Sequence, residues 1–286
     1  MLTSVKSVFQ SLRSHRATIA LCQRCLTTSS SEPAIDPVTY DKREDVTIIG
    51  LNRPHCKNAM NSIMAQQLNI VLKSFEEDHS SNVAILHGNG TDFCAGYDLK
   101  EASQGGLSEE AKEVLKEHGP MGITREAFKK PVIAALSGYV IGGGLELALA
   151  CDLRIASSDT ILGGFNRKHG VPFIDGCTVR LPALIGLSRA LDLILTGRPV
   201  DANEAFSMGL VNRISDGDLI NEAFRLAKQI SDHPQFCLLT DRHNTYYSTY
   251  NAKSLQDALN HEFDNGWKVV NVESVKGAQK FVNRKR

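Results

Sequence analysis

No stretch of the 286-residue chain approaches the ~18 to 20 consecutive apolar residues that a membrane-spanning helix needs, so none reads as a span. Net charge is missing as well. Its 32 lysines and arginines balance 32 aspartates and glutamates, which removes any global electrostatic argument for a nucleic-acid or membrane partner. The seven cysteines are Cys22, Cys25, Cys56, Cys94, Cys151, Cys177 and Cys237. Their one C-x-x-C, Cys22 and Cys25, has no second pair at metal-site spacing, so no metal site is expected. The other five are odd in number and dispersed. They suit a reducing compartment and small buried hydrophobes better than disulfides. The chain also lacks a repeat of short fixed period and, beyond its N-terminus, any low-complexity tract.

Acids are absent from the first 31 residues, which hold Lys6, Arg13, Arg16 and Arg24; the first acid is Glu32. Without those four the body carries 28 basic against 32 acidic residues. The segment is rich in Ser and Thr, and Val5, Phe9 and Leu12 fall on one helical face. It has no continuous apolar core of the kind a secretory signal carries. This pattern predicts a cleaved mitochondrial transit peptide over 1–31 and a matrix location; a merely disordered basic tail is the alternative. Composition is otherwise ordinary for a globular chain, with 42% hydrophobic and 22% charged residues, and the length allows a substantial core.

Val46-Thr-Ile-Ile-Gly-Leu51 reads as a strand closed by the turn Asn52-Arg-Pro54. Asn61 or Ser62 can cap a helix carrying Met64, Leu68, Val71, Leu72 and Phe75 on one face. Further strands are expected at 83–86, 131–136 and 153–156, with an apolar helix from Gly142 to Cys151. Residues 101–122 are polar, Gly-containing and charged, and read as a surface segment with one helix at most, shaping either a pocket or lid or a solvated helix. From 180 onward the periodicity is helical, over 180–195, 201–208, 219–232, 253–264 and 273–283. The implied class is α/β, followed by a helical end.

Two fragments carry chemistry. Three glycines, Gly142 to Gly144, open a helix whose following residues are almost wholly apolar, apart from Glu146. The amide of Gly143, at the positive end of that helix, suits a developing oxyanion. Glu146 projects on the same side. Burial raises a carboxyl pKa and the helix N-terminus lowers it, a combination that can poise a general base. The alternative is a glycine-rich start selected for tight packing, with Glu146 bonded to a neighbouring amide. In Phe93-Cys-Ala-Gly-Tyr-Asp-Leu-Lys100, Gly96 permits a tight bend and Asp98 can begin a helix, freeing the Tyr97 amide. Two such turns together form an oxyanion hole. Asp98 and Asp152 read as structural.

These fragments, with Asn52-Arg-Pro-His-Cys-Lys-Asn-Ala-Met-Asn61, Gly176-Cys-Thr-Val-Arg-Leu-Pro182 and Leu195 to Asn212, occur in the order seen in the crotonase (enoyl-CoA hydratase/isomerase) superfamily. The chain resembles that superfamily over residues 38–286. The resemblance implies a spiral of ββα units over 38–232 and a C-terminal helical oligomerisation region over 233–286, giving a trimer or a dimer of trimers. It also implies an acyl-CoA substrate, with no cofactor beyond the CoA that the substrate carries. The amides of Tyr97 and Gly143 would hold the thioester oxygen, and Glu146 would be catalytic. Backbone near Cys56, Lys57 and Ala59 would contact CoA.

One departure stands out. The position of a hydratase's second catalytic glutamate holds Asn166, which is neither acid nor base at neutral pH. Losing that proton donor would cost a hydratase ~10²–10⁴-fold. Asp175 is a candidate to compensate, or else a turn aspartate before Gly176. The implied function is therefore an enoyl-CoA hydratase-like lyase using Glu146, Asn166 and Asp175. Rivals on the same fold are an isomerase, a decarboxylase or a thioesterase, or a binding protein for acyl-CoA or RNA without turnover. The basic end, Lys280 and Arg284 to Arg286, reads as a solvated terminus.

Overall fold

A computed structural model describes residues 36–104 and 109–283; the expected leader over 1–31 lies outside them. Among the described residues nine strands form: β1 Val38–Arg43, β2 Val46–Leu51, β3 Val83–Gly88, β4 Val132–Leu136, β5 Tyr139–Ile141, β6 Leu153–Ser157, β7 Ile161–Gly163, β8 Pro199–Asp201 and β9 Arg213–Ser215. Six of them make one sheet in the order β1-β2-β3-β4-β6-β9, antiparallel between β1 and β2 and parallel elsewhere. The other three form a small sheet, β5-β7-β8.

Nearly unbroken apolar runs in β3 and β4 follow from burial of both sheet faces. Side chains alternate between two cores. Val83 and Ile85 of β3, with Ile133 and Ala135 of β4, meet Ala223, Phe224 and Ala227 on the helix Leu219–Ser231. Their neighbours Ala84, Leu86, Val132, Ala134 and Leu136 join the larger core under the helices Ser62–Glu77 and Gly143–Ala150. Asn61 caps the first of these, its Oδ1 accepting from the Met64 amide at 3.0 Å, and Met64, Leu68, Leu72 and Phe75 are buried. The described residues thus form an α/β core followed by a helical C-terminal region.

Two departures from the periodicity are informative. The segment expected as one helix over 180–195 is two, Cys177–Ile185 and Leu187–Thr196, parted at Gly186, whose φ is 83°. A further helix spans Gln235–Tyr250, in a stretch without a clear apolar stripe. Its inward face is polar. Arg242 Nε donates to Asp152 Oδ1 at 2.7 Å, and the Tyr246 hydroxyl donates to the same oxygen at 2.9 Å. Asp152 Oδ2 accepts from the Val132 amide at 2.8 Å, so one carboxylate joins this helix to β4. Removing a carboxylate leaves its partly buried cation and donors unpaired, so Asp152→Ala should lower stability by ~3 kcal/mol or more, read by urea or thermal unfolding. An unchanged midpoint would mean the tie carries nothing.

The next helix, Leu255–Val269, exposes Leu255, Leu259, Phe263 and Trp267 at every fourth position, with 48–76% of each side open. A contiguous apolar row of this kind marks an interaction face. Among the described residues no helix is long and apolar enough to cross a membrane.

Candidate active site

The parallel strands β3 and β4 both end at one rim, where open α/β sheets place their ligand sites. From β3 the chain runs through the turn containing Gly96, whose φ of 92° is available to glycine without strain. Asp98 then starts the short helix Leu99–Ala102, its Oδ1 accepting from the Lys100 amide at 3.0 Å, and its Oδ2 pairs with Arg53 at 3.0 Å. Met60 donates to the Gly96 carbonyl at 2.7 Å and accepts from the Asp98 amide at 2.8 Å. In parallel pairing those two bonds leave the intervening Tyr97 N–H facing the other side. From β4 the chain turns through β5 into the helix Gly143–Ala150, whose first amides have no intrahelical acceptor.

The two turns touch. A Cβ on Gly96 would sit 2.8 Å from the Ile141 carbonyl oxygen and 3.1 Å from the Gly143 nitrogen, and one on Gly144 only 2.2 Å from the Cys94 carbonyl oxygen. Among the described residues neither the Tyr97 nor the Gly143 amide has an acceptor. Two unpaired donors therefore stand together at the wall of a cavity of ≈ 610 Å³.

Glu146, 2% exposed, lies in the same wall. Its Oε1 accepts from the amides of Asp175 at 2.9 Å and Cys177 at 3.0 Å. Burial pushes its carboxyl up to about 7. The Cys177 amide opposes that rise, and the nearby Asp175 carboxylate reinforces it. So Glu146 is both bonded to neighbouring amides and raised by burial well above the ordinary carboxyl range, two properties that the sequence posed as alternatives.

Asn166 and Asp175 also line this cavity. Asn166 sits on the turn Phe165–His169 beside Gly142, and its Nδ2 donates to the Val171 carbonyl at 2.8 Å. That bond fixes the amide's orientation, and Oδ1 is left buried without a donor. Asp175 points differently from Glu146. Its Oδ1 accepts from the Met121 amide at 3.1 Å and from the Thr124 hydroxyl, so it fastens the 119–124 segment. Burial raises its carboxyl above the ordinary range, against the Thr124 and Met121 bonds and the charges of Arg125 and Arg180. The fastened segment matters to the site, because Met121 Sδ would lie 2.5 Å from a Cβ on Gly143 and so roofs the free amide.

Cys56, Lys57 and Ala59 lie outside the cavity wall, on the turn after β2. Lys57 and Asn58 are both left-handed, at φ 54°. The Lys57 carbonyl accepts from the Ala95 amide at 2.9 Å, tying this turn to the Gly96 segment, and Lys57 Nζ pairs with Asp92 at 3.1 Å. The ends of the 101–122 segment, including Glu101, Pro120 and Met121, are cavity wall. Sequence reasoning offered the segment as pocket or lid but singled out none of these three, since only the tertiary fold brings them to Tyr97 and Gly143. Among the described residues no cluster of His, Cys, Asp or Glu could hold a metal ion.

A fold and site of this kind define a class. The enoyl-CoA hydratase/isomerase family profile matches residues 41–286, and the chain belongs to that family. It is 42% identical over 197 residues to YngF of Bacillus subtilis, a protein named for enoyl-CoA hydratase/isomerase; the match covers 66% of this chain and 74% of that one. It is 37% identical over 190 residues to human enoyl-CoA hydratase domain-containing protein 2, mitochondrial, covering 66% of this chain and just under two thirds (65%) of the human protein. The crystal structure of an enoyl-CoA hydratase from Mycobacterium tuberculosis superposes with a TM-score of 0.80 at 32% identity, covering 88% of this chain and 98% of that one.

Proposed function

We propose that this chain hydrates a trans-2-enoyl-CoA, with Glu146 as its single acid–base group. The observation that carries the reading is one buried carboxyl poised near neutrality beside two unpaired amides. The thioester oxygen would accept from the Tyr97 and Gly143 amides, which stabilise the enolate as it forms. Glu146 takes a proton from water as its oxygen bonds to Cβ, then returns a proton to Cα. A group with pKa about 7 can do both, because neither form is strongly favoured at working pH. Asn166, in place of a second acid, positions the water without donating a proton of its own. Asp175 contributes through Met121 and the loop it fastens.

Double-bond isomerisation is the second reading, favoured by the same inventory. Moving a proton between two carbons needs only one carboxylate and no water. Turnover of either kind explains why an acid is kept in an apolar helix, where burial is costly; a role limited to binding does not. The reading extends to a mitochondrial location, supported by the acid-free basic leader and by relatives named mitochondrial. It also extends to a homo-oligomer, trimer or hexamer, built on the apolar row of the Leu255–Val269 helix.

The test follows the enoyl thioester absorbance of crotonyl-CoA and a longer trans-2-enoyl-CoA, with the product identified by mass. A gain of one water supports hydration. Conversion of a 3-enoyl-CoA without mass change supports isomerisation, and no change with any of them removes both.

A further inference from the structure

We propose that the acyl cavity rejects acyl groups bearing a second carboxylate, and that Glu101 is the specificity-determining residue. This deepens the acyl-CoA reading above and rests on it.

The ionisable groups of the cavity wall are Glu101, Glu146, Asp175, the Tyr97 phenol and, exposed at its mouth, His169. Among the described residues that wall contains no lysine or arginine. Lys100, exposed between the wall residues Leu99 and Glu101, is not itself part of the wall, and several other cations turn away from it. Arg125 and Arg180 line a separate cleft on the far side of Asp175, where Arg180 donates to the Asp175 carbonyl at 3.0 Å and Arg125 to that of Ile174 at 2.9 Å. Arg167 bonds the Ile194 carbonyl at 3.2 Å, and Lys168 stands 5.1 Å from the centre of the Phe165 ring.

The neutral polar groups repeat this one-sidedness. The Tyr97 hydroxyl donates to Glu101 Oε1 at 2.9 Å, so its oxygen can only accept from a ligand. The Asn166 amide gives one N–H to the Val171 carbonyl and leaves a bare Oδ1. The free main-chain donors, Tyr97 and Gly143, are claimed by the thioester oxygen. A carboxylate on the acyl chain would thus face three carboxyls in the wall with no lysine or arginine there to offset them, an arrangement that selects by repulsion.

Glu101 makes this permanent because it cannot swing away. The Ser62 amide, at the first position of the helix Ser62–Glu77, donates to both its oxygens at 3.1 and 3.2 Å, and Tyr97 holds it from the other side. Glu146 and Asp175, whose carboxyls burial pushes upward, can shed charge by taking a proton. Glu101 instead is held at the start of a 16-residue helix by the Ser62 amide. Acyl groups with an uncharged or hydrogen-bond-donating end fit the same wall without conflict. The inference also weighs against decarboxylation of a malonyl-type thioester, whose reacting carboxylate would have to enter this cavity.

The test measures Kd by calorimetry for pentanoyl-CoA and glutaryl-CoA, which match in chain length and differ by a terminal carboxylate. Wild type should bind glutaryl-CoA at least about tenfold more weakly. Glu101→Gln, which keeps an acceptor for Ser62 and Tyr97, should shrink that ratio several-fold, provided its thermal melt shows a folded protein. Equal affinities in the wild type would overturn the proposal by themselves, whatever the variant does. An unchanged ratio in folded Glu101→Gln would overturn the role of Glu101. If neither thioester binds, the acyl-CoA reading fails and takes the proposal with it, an outcome distinct from tight binding of both.

Discussion

Glu146→Gln should lose ~10²–10⁴-fold in kcat on an enoyl-CoA while melting at a higher temperature than wild type above neutral pH. The loss follows from removing the group proposed above to carry the proton. The gain follows from the work of burying a charge. The carboxyl has an ordinary value of 4.5, and in the folded protein it stands at about 7. Between those values the native state holds a proton that the unfolded chain has released. Stability therefore falls as pH rises across this window and stays at its lower level above it, by roughly 3 kcal/mol in total. Glutamine keeps an oxygen for the Asp175 and Cys177 amides and has no charge to bury. Its advantage should be largest near pH 8, where each kcal/mol is worth about 2–4 °C for a chain of this size, and small near pH 5. Activity runs in the opposite sense. The wild-type kcat/KM should rise with pH through about 7 as Glu146 becomes a base. Melting curves of both proteins at the two pH values check the first claim, and a pH–rate profile checks the second. A variant that is no more stable at pH 8 would mean that Glu146 is not the strained acid described.

Gly144→Ala should cost 10²-fold or more in kcat/KM, as the loss of one oxyanion donor does in other acyl-transfer sites. Alanine is the better helix former, and Gly144 has no left-handed φ to protect. The obstacle is space alone. The added methyl would lie 2.2 Å from the Cys94 carbonyl oxygen, a backbone atom that also accepts from the Ile141 amide at 3.0 Å. Helix and turn must move apart, and the Tyr97 and Gly143 amides with them, at a stability cost of about 1–3 kcal/mol. Gly143→Ala is the informative comparison. Its methyl meets the Met121 thioether, a flexible chain end that can yield. It should therefore lose much less activity than Gly144→Ala. If the two variants behave alike, backbone spacing is not what sets the hole.

The parts of this site that were legible in the sequence are those whose cause is local. Asn61 caps its helix through an amide three residues away, and Gly96 makes a bend that needs its positive φ. Gly143 and Glu146 share a side because one helical turn separates them. The illegible parts are held by contacts distant in the chain. Glu101 is placed by the Ser62 amide, 39 residues away, and Asp175 by Met121, 54 away. Nothing in the local pattern near Asp175 distinguishes a fastener from a spare acid. The helix Gln235–Tyr250 escaped for a related reason. It docks through Arg242 and Tyr246 on Asp152, and a periodicity search for apolar residues sees no such stripe.

Both donors of the proposed oxyanion hole are main-chain groups, exposed by the alternation of strand pairing at Met60 and by the open first turn of one helix. No side chain supplies either of them. Substitution at position 97 can change what the acyl cavity accepts and leave the N–H where it is, so long as the neighbouring glycines keep the turns in contact. The proposed capacity to stabilise an enolate should therefore survive most point mutations, whereas the proposed proton chemistry rests on one replaceable carboxyl, Glu146. A chain built this way can exchange one reaction for another in few steps. An asparagine at 166 is the size of change that such a scaffold can absorb.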